Sequence, residues 1–417
     1  MATFLLVPLT IDFLDTNNYG VWLTLSSFIS WFAFFDIGLG NGLRNKFAEA
    51  RAQGNEELAQ AYVSSAYFTI GIISLLLIGV FLILNFFIDW TLVFNTDASM
   101  QSDLSVLMPI VFSFFFLQLI VKLITTIYTA DQKPSIQGKI GFITQVGALF
   151  LIWVLIKTSE TSLLTFGVVF SALPVFILLF FNLIAFSKPY KNYKPIFSLW
   201  KLEYLKDIFG VGFSFFIIQI AALILFSTDN FIISKLFSPA DVVPYNISYK
   251  YFSIIIMVYS IIVTPYWSSF TEAYVRKDYD WIKSSVKNIM KIWMFIPIIL
   301  IFMVLFANLF YLFWVGDKVV VPLLLNISMA LYVLIITFNM VFVSFINGLG
   351  KIRVQLITSI ILIVINIPLS ILFASNFKLG VSGVILASCV CLISSAILFP
   401  IQYHKIINNA AAGIWNK

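Results

Sequence analysis

The sequence predicts an all-α, polytopic membrane protein with about twelve transmembrane helices, in two six-helix bundles related by a pseudo-twofold axis. The first observation is composition: 61% of the 417 residues are hydrophobic and 11% are charged, which is too apolar for a soluble domain with a polar surface. The second is length, because the apolar stretches reach the roughly 20 residues that a hydrocarbon core of about 30 Å requires. The third is the one-sided placement of basic residues.

Eleven full-length spans are predicted, preceded by a shorter apolar segment. The eleven spans are Tyr19 to Ile37, Ala61 to Ile88, Leu104 to Ala130, Gly138 to Ile156, Leu163 to Phe186, Ile208 to Phe237, Val242 to Phe270, Ile289 to Trp314, Val319 to Ile346, Ile352 to Phe373 and Leu379 to Ile401. The opening segment, Ala2 to Leu14, is too short to cross the membrane, and it lacks the basic n-region and cleavage site of a signal peptide. We therefore expect a truncated first helix, shorter than one span by roughly 15 to 20 residues.

The basic residues predict the orientation. Nineteen of the 25 lysines and arginines fall on one side of the predicted membrane, four fall on the other side, and Lys122 and Lys250 fall within spans. We call the first of these sides the basic side, and we expect it to face the cytoplasm. Twelve crossings then place both termini in the cytoplasm. Because topology explains the net charge of +6, no nucleic-acid partner is expected.

A basic polar stretch divides the chain into halves. It predicts an N-terminal six-helix bundle over residues 1–187, a cytoplasmic linker over 188–206 with five lysines, and a C-terminal six-helix bundle over 207–417. The halves echo each other: Phe47, Glu49 and Ala50 match Phe270, Glu272 and Ala273, and Lys133 and Gln137 match Lys351 and Gln355. An even number of helices per half makes the repeats parallel, so we expect a cleft between the two bundles.

The most distinctive motif is Asp36-Ile-Gly-Leu-Gly-Asn-Gly-Leu-Arg-Asn-Lys-Phe-Ala-Glu-Ala50, which follows directly on an apolar helix. With Gln53-Gly-Asn-Glu-Glu-Leu-Ala-Gln-Ala-Tyr62, it resembles the polysaccharide biosynthesis and O-antigen flippases, the oligosaccharidyl-lipid branch of the multidrug/oligosaccharidyl-lipid/polysaccharide (MOP) exporter superfamily. Supporting segments are Leu6-Val-Pro-Leu9, Asn18-Tyr-Gly-Val-Trp22, Asp229-Asn-Phe-Ile-Ile-Ser-Lys235 and Asn347-Gly-Leu-Gly-Lys351. The likeness covers nearly the whole chain.

This resemblance implies a function, a location and partners. Such proteins are understood to flip undecaprenyl-pyrophosphate-linked oligosaccharide units across the bacterial inner membrane by alternating access, for O-antigen, capsule or exopolysaccharide biosynthesis. The implied partners are the lipid-linked oligosaccharide, membrane lipids, the polysaccharide polymerase machinery and a coupling proton or sodium ion. No cofactor or metal is expected, and the phosphate-binding motif Gly-x-x-x-x-Gly-Lys-Ser/Thr is missing from the sequence, which argues against ATP hydrolysis.

Four basic residues are candidates for substrate binding. Lys122 lies about 12 Å from the basic end of its span, where a cation could neutralise the pyrophosphate, although a snorkelling lysine explains it equally well. Lys250 lies at a similar depth from the opposite end, in Tyr245-Asn-Ile-Ser-Tyr-Lys-Tyr251, whose hydroxyls and rings suit sugars or an interfacial belt. Arg44 and Lys46 could grip phosphate oxygens or simply anchor the basic side.

Two acids are candidates for ion coupling. Asp36 and Asp229 could bind a proton or sodium ion, because a desolvated carboxylate is readily protonated. The alternatives are that Asp36 pairs with Arg44 or a nearby lysine, and that Asp229 is wetted at the outer face.

Two rival functions make different demands on the sequence. A multidrug exporter of the same superfamily would favour carboxylates in its cleft, whereas the deepest charges here, Lys122 and Lys250, are basic. A membrane-embedded sugar transferase or polymerase would need a large outer loop, and no loop between the predicted spans is long enough to form a domain. Asp278-Tyr-Asp280 and His404 are weak enzyme signals, since neither has the partners that catalysis needs. We therefore predict a transporter and not an enzyme.

Overall fold

The computed structural model describes residues 2–131, 133, 135–210 and 228–416. These residues form helices and connecting segments, with no strand among them, which confirms the all-α fold class. Nine helical segments of this described part are long and apolar enough to cross a membrane. The predicted total of twelve also counts the span over 208–237, of which residues 211–227 lie outside the described residues.

The chain divides into two compact units, and the first comprises Met1–Ile220. Its helices are α1 (Ala2–Ser30), α2 (Phe34–Ala52), α3 (Glu56–Asn85), α4 (Trp90–Phe94), α5 (Gln101–Ala130), α6 (Ser135–Thr158), α7 (Leu163–Ser187) and α8 (Leu202–Gly210). Helix α1 breaks at Asp15, where φ is 65°, directly after the predicted short segment. The Asp15 carboxylate accepts hydrogen bonds from the backbone and side chain of Asn18, at 3.0 and 2.7 Å, and so caps the helical stretch that follows.

The second unit comprises Ala221–Lys417. Its helices are α9 (described over 228–236), α10 (Val242–Val263), α11 (Tyr266–Val275), α12 (Tyr279–Trp293), α13 (Ile296–Val315), α14 (Leu323–Leu349), α15 (Arg353–Ile371) and α16 (Val381–Ile407).

Two predicted spans of this unit are interrupted. The span from Val242 breaks between α10 and α11 beside Pro265, and the span from Ile289 breaks at Met294 and Phe295, just before Pro297. Proline lacks the backbone N–H that a helix interior needs, while Thr264 and Phe295 at the two breaks keep helical dihedral angles. Hydropathy alone does not detect such breaks, which is why both spans were predicted as continuous.

Gly42, in the glycine-rich segment of α2, lies at a contact between two helices. A Cβ atom added to Gly42 would collide with the backbone carbonyl of Ile208 on α8. Glycine therefore allows α8 to pack directly against α2. Because α8 follows residues 188–201 immediately, this contact fixes the end of the basic stretch to the first unit.

Candidate functional site

A buried carboxylate of the second unit is Asp229, in the part of α9 that the structure describes. Its side chain is only 3% exposed, and one carboxylate oxygen accepts a hydrogen bond of 2.5 Å from the hydroxyl of Tyr245 on α10. The other oxygen, Oδ1, is buried and has no hydrogen-bond partner among the described residues. Burial by α10 therefore contradicts the alternative in which Asp229 is wetted at the outer face.

A hydrogen-bond network extends from this point through the second unit. Asn246 on α10 donates to Asn230 on α9 at 2.8 Å. The Asn326 side-chain oxygen on α14 accepts from Ser248 at 3.0 Å and from Tyr311 on α13 at 2.7 Å. Four helices are thus joined through polar side chains inside an apolar unit. We call these residues, together with Asp229 and Tyr245, the buried polar network.

Further buried amides lie between α14, α15 and α16. Asn366 donates to Ser388 at 3.0 Å, and Asn339 donates to the carbonyl of Leu392 at 3.3 Å. The Oδ1 atoms of Asn366 and Asn339 are buried without a hydrogen-bond partner in the described part of the chain. Unsatisfied buried acceptors are uncommon and often have an ordered water or an ion as partner.

Lys250 lies on α10 beside this network and is partly exposed. Most of the hydroxyls around it already have partners: Tyr245 binds Asp229, Ser248 binds Asn326, and Tyr251 donates to the carbonyl of Met303 at 3.2 Å. These three hydroxyls therefore already donate hydrogen bonds within the protein, and sugar binding by this segment stays a prediction. Tyr249, which is 36% exposed, is the aromatic side chain that accompanies Lys250 on the accessible side of α10.

Lys122 lies on α5, which ends at Ala130 as predicted. Its side chain is exposed, whereas the next two residues, Leu123 and Ile124, are buried. The lysine therefore projects from the helix surface and is not part of the packed interior of the first unit. This position leaves its charge accessible to a ligand or a lipid headgroup.

Arg44 and Lys46 lie on α2, and the structure gives them different surroundings. Arg44 is exposed. Lys46 forms an ion pair with Glu49 at 2.9 Å, and this hydrogen bond raises the pKa of the Lys46 ammonium. A phosphate would therefore have to compete with Glu49 for Lys46. The side chain of Asp36 lies outside the described residues.

One ionic cluster was not predicted from the sequence. Asp131, just after α5, accepts hydrogen bonds from Arg51, from Lys133 at 2.6 Å and from the Tyr190 hydroxyl at 2.8 Å. Burial opposes ionisation of this carboxyl, but the bonds from Lys133, Tyr190 and Arg51 outweigh it and lower the pKa of Asp131. We call these four residues the Asp131 cluster. It ties the ends of α2 and α5 to the segment after α7.

The weak enzyme signal at Asp278-Tyr-Asp280 has a structural explanation. The Asp278 carboxylate accepts a hydrogen bond from the backbone N–H of Trp281 at 3.0 Å and caps α12. Asp280 faces Lys283 at 3.6 Å. A capping aspartate at a helix start is a common stabilising feature, so this pair needs no catalytic role.

Comparison with known proteins gives the family. The family described as "Polysaccharide biosynthesis protein" matches residues 1–271, which is more than half of the chain. The chain therefore belongs to this family, and the predicted resemblance is confirmed.

Two curated relatives are similar over much of their length. A protein of Yersinia pseudotuberculosis named "Putative O-antigen export protein" is 25% identical over 84% of this chain and 80% of its own length. A Salmonella typhimurium protein named "Putative O-antigen transporter" is 22% identical over 64% of this chain and 61% of its own length. The chain thus spans less than two thirds of the second relative.

Solved structures show the fold. A multidrug resistance MATE family transporter of the MOP superfamily, in an inward-facing conformation, matches with a TM-score of 0.81 at 16% identity, over 98% of this chain and 95% of its own. A Vibrio cholerae MATE transporter matches with a TM-score of 0.66 at 14% identity, over 100% and 96%. The chain has the fold of the MOP superfamily and is a multi-pass membrane protein.

Proposed function

We propose that the chain flips undecaprenyl-pyrophosphate-linked oligosaccharide units across the bacterial inner membrane by alternating access. The observation that carries this proposal is the family match over residues 1–271, supported by relatives named for O-antigen export or transport. The polymer made from these units would be an O-antigen, a capsule or an exopolysaccharide. Polymerase machinery would be the natural partner on the product side, and both termini would lie in the cytoplasm.

In this proposal the charges have separate tasks. Lys122, which projects from α5, supplies a cation for the pyrophosphate, and Arg44 and Lys46 receive the headgroup at the basic side. Lys250 and Tyr249 present a charge and an aromatic face to the sugar. An accessible lysine within a span suits this task because an anion must be neutralised before it can enter an apolar medium.

Asp229 is the proposed ion-coupling residue. A buried carboxylate with one free oxygen is costly in a membrane unless a proton or a cation accompanies it. The bond from Tyr245 holds one oxygen and leaves Oδ1 as the position for a proton or a sodium ion. Asp36 stays a second candidate for the same role.

The first test is flipping of a fluorescent undecaprenyl-pyrophosphate oligosaccharide in proteoliposomes. We expect the wild type to accelerate flipping and Lys122→Ala to abolish it. Lys157→Ala is a matched control, because it also removes the charge of an exposed lysine. Lys157 lies at the C-terminal end of α6, over the ring of Trp153. Equal flipping by the wild type, Lys122→Ala and Lys157→Ala would leave the flippase function standing and reject Lys122 as the pyrophosphate-binding residue.

The multidrug alternative is supported by the likeness of the fold to MATE transporters. The same proteoliposomes distinguish the two functions when they are loaded with a fluorescent organic cation. Export of the cation without any flipping of the lipid would replace the flippase proposal by this alternative.

A further inference from the structure

The segment between α7 and α8, residues 188–201, is not a free linker. Five side chains on α3 hold it. The Glu56 carboxylate accepts from the Asn192 amide at 3.2 Å, and the Gln60 amide donates to the carbonyl of Lys194 at 2.9 Å. Ser64 accepts from the N–H of Ile196 at 3.0 Å, Ser65 from the N–H of Lys201 at 3.3 Å, and Thr69 from the indole of Trp200 at 3.0 Å. We call residues 188–201 the strap, because it lies along α3 over this whole distance.

The strap extends along the apolar part of α3. Thr69 lies nine residues beyond Gln60, which is about 14 Å further along the helix at 1.5 Å per residue. Helix α3 is one of the candidate spans. Trp200, bound to Thr69, therefore lies beside a part of α3 that should be within or next to the membrane. Phe197 packs its ring against Phe68 of α3 at 5.2 Å and stacks on Trp200 at 5.8 Å.

The outer side of the strap is both basic and apolar. Lys188, Lys191, Lys194 and Lys201 are exposed, and none of them forms an ion pair with a described residue. Phe197 is 63% exposed, and Leu202 at the start of α8 is 68% exposed. Exposed lysines next to exposed apolar side chains are typical of segments that lie in a membrane interface.

We propose that the strap is a binding surface for anionic phospholipids of the leaflet on the basic side. The lysines would meet the headgroup phosphates, while Phe197 and Leu202 would enter the acyl region. Of the nearby acids, Asp207 accepts a hydrogen bond from Tyr62 at 3.3 Å and so faces α3, and Glu56 accepts one from Asn192 of the strap at 3.2 Å. The proposal does not depend on which substrate the protein moves.

The fixed position of the strap matters to this proposal. A flexible basic segment attracts anionic lipids only by its net charge, whereas a segment fixed by five hydrogen bonds presents its lysines at one level of the membrane. Ser64, Ser65 and Thr69 are polar side chains in an apolar span, and each accepts a hydrogen bond from the strap; Ser64 also donates to the carbonyl of Gln60 at 2.8 Å. Their hydroxyls hold the strap in place, which links the sequence of α3 to the position of the lysines.

The test measures lipid binding to the purified full chain in detergent by native mass spectrometry, with phosphatidylglycerol and phosphatidylcholine as probes. We expect tighter binding of phosphatidylglycerol to the wild type. The combined variant Lys191→Gln, Lys194→Gln and Lys201→Gln should weaken it by roughly tenfold. The control variant Lys283→Gln, Lys287→Gln and Lys291→Gln removes the same charge from α12 and should have less than about a threefold effect.

A second variant tests the ordering. Ser64→Ala with Thr69→Val keeps every lysine but releases the strap, so we expect an intermediate loss of phosphatidylglycerol binding. Equal losses in the strap and α12 variants would overturn the proposal, because net charge alone would then explain the binding. Unchanged binding after release of the strap, or complete displacement of the lipid by inorganic phosphate, would also overturn it.

Discussion

The two units differ in where they place their described carboxylates, although both bury amides: in the first unit the Asn182 side chain accepts a hydrogen bond from Tyr67 at 2.7 Å. In the first unit, the described interior beside α1, α3 and α5 contains a stack of rings, with Phe81 and Phe112 only 3.7 Å apart, beside an apolar cavity of about 340 Å³. Its described ionic contacts gather at the basic end, around Asp131. In the second unit, the polar network lies inside, around Asp229 and Asn326. The described ionic contacts thus lie at a helix end in the first unit, whereas the polar network lies in the interior of the second unit.

Positions that echo each other in sequence nevertheless keep similar surroundings. Phe47 on α2 and Phe270 on α11 are both fully buried. Lys133 lies over the ring of Tyr190 at 5.8 Å, and Lys351 lies over the ring of Tyr274 at 4.7 Å. A contact between a lysine and a tyrosine ring thus occurs after α5 in the first unit and again after α14 in the second unit. The difference is that a carboxylate, Asp131, joins the first contact, whereas the amide of Asn416 joins the second at 2.6 Å.

The largest effect is expected from Asp229→Asn in the second unit. An amide keeps the bond from Tyr245 but cannot exchange a proton or hold a cation as a carboxylate does, so we expect gradient-driven flipping to fall by roughly tenfold or more. Thermal stability should stay the same or rise, because the variant no longer buries a carboxylate.

The control for this change is Asp241→Asn, the same substitution just before α10, where the carboxylate accepts a hydrogen bond from Ser238 at 2.6 Å. Its effect on flipping should be small. Transport by Asp229→Asn at the wild-type rate would show that the interior network of the second unit is structural, and the contrast between the units would lose its functional meaning.

The next effect is on stability, from Asp131→Asn in the first unit. The substitution removes the charge that accepts hydrogen bonds from Arg51, Lys133 and Tyr190, so we expect a loss of about 1–2 kcal/mol in the free energy of unfolding. Thermal unfolding in detergent would measure it, with the exposed Asp97→Asn as a control. A loss no larger than the control's would mean that the cluster does not hold the first unit together.

The pH dependence of the free energy of unfolding tests whether the Asp131 contact in the first unit is ionic. Because its folded-state pKa is lowered, Asp131 contributes stability that is complete above the ordinary aspartate value of 3.8 and is lost as pH falls through the lower folded-state value. The stability difference between wild type and Asp131→Asn should therefore disappear at low pH. A difference that persists unchanged at pH 2 would contradict the ionic origin of the contact.

The sequence predicted the helices well where length and hydropathy decide them. Helices α5 and α7 end within one residue of the predicted limits Ala130 and Phe186, because the apolar stretch must match the bilayer. The breaks beside Pro265 and Pro297 were missed, although proline was the available signal. A search for proline inside each predicted span would have found them.

The candidate sites were harder to predict, for a physical reason. Asp131 meets Arg51 and Tyr190 across 80 and 59 residues, and contacts at such separations depend on packing that no local pattern contains. The burial of Asp229 likewise depends on α10. Asn326 and Asn366 could have been found, because an amide inside an apolar span usually needs a partner on another helix.

The smallest effect is expected from Lys351→Gln in the second unit. Lys351 donates to the Tyr274 hydroxyl and to Asn416, both at 2.6 Å, and its contacts with described residues involve no carboxylate. Glutamine can replace part of this hydrogen bonding, so we expect a loss of about 0.5–1 kcal/mol in the free energy of unfolding. The loss should be the same at pH 7 and at pH 3, unlike that of Asp131→Asn. Thermal unfolding of both variants at the two pH values makes the comparison direct, and a Lys351 effect that shrinks at low pH would reveal an acidic partner and remove the contrast.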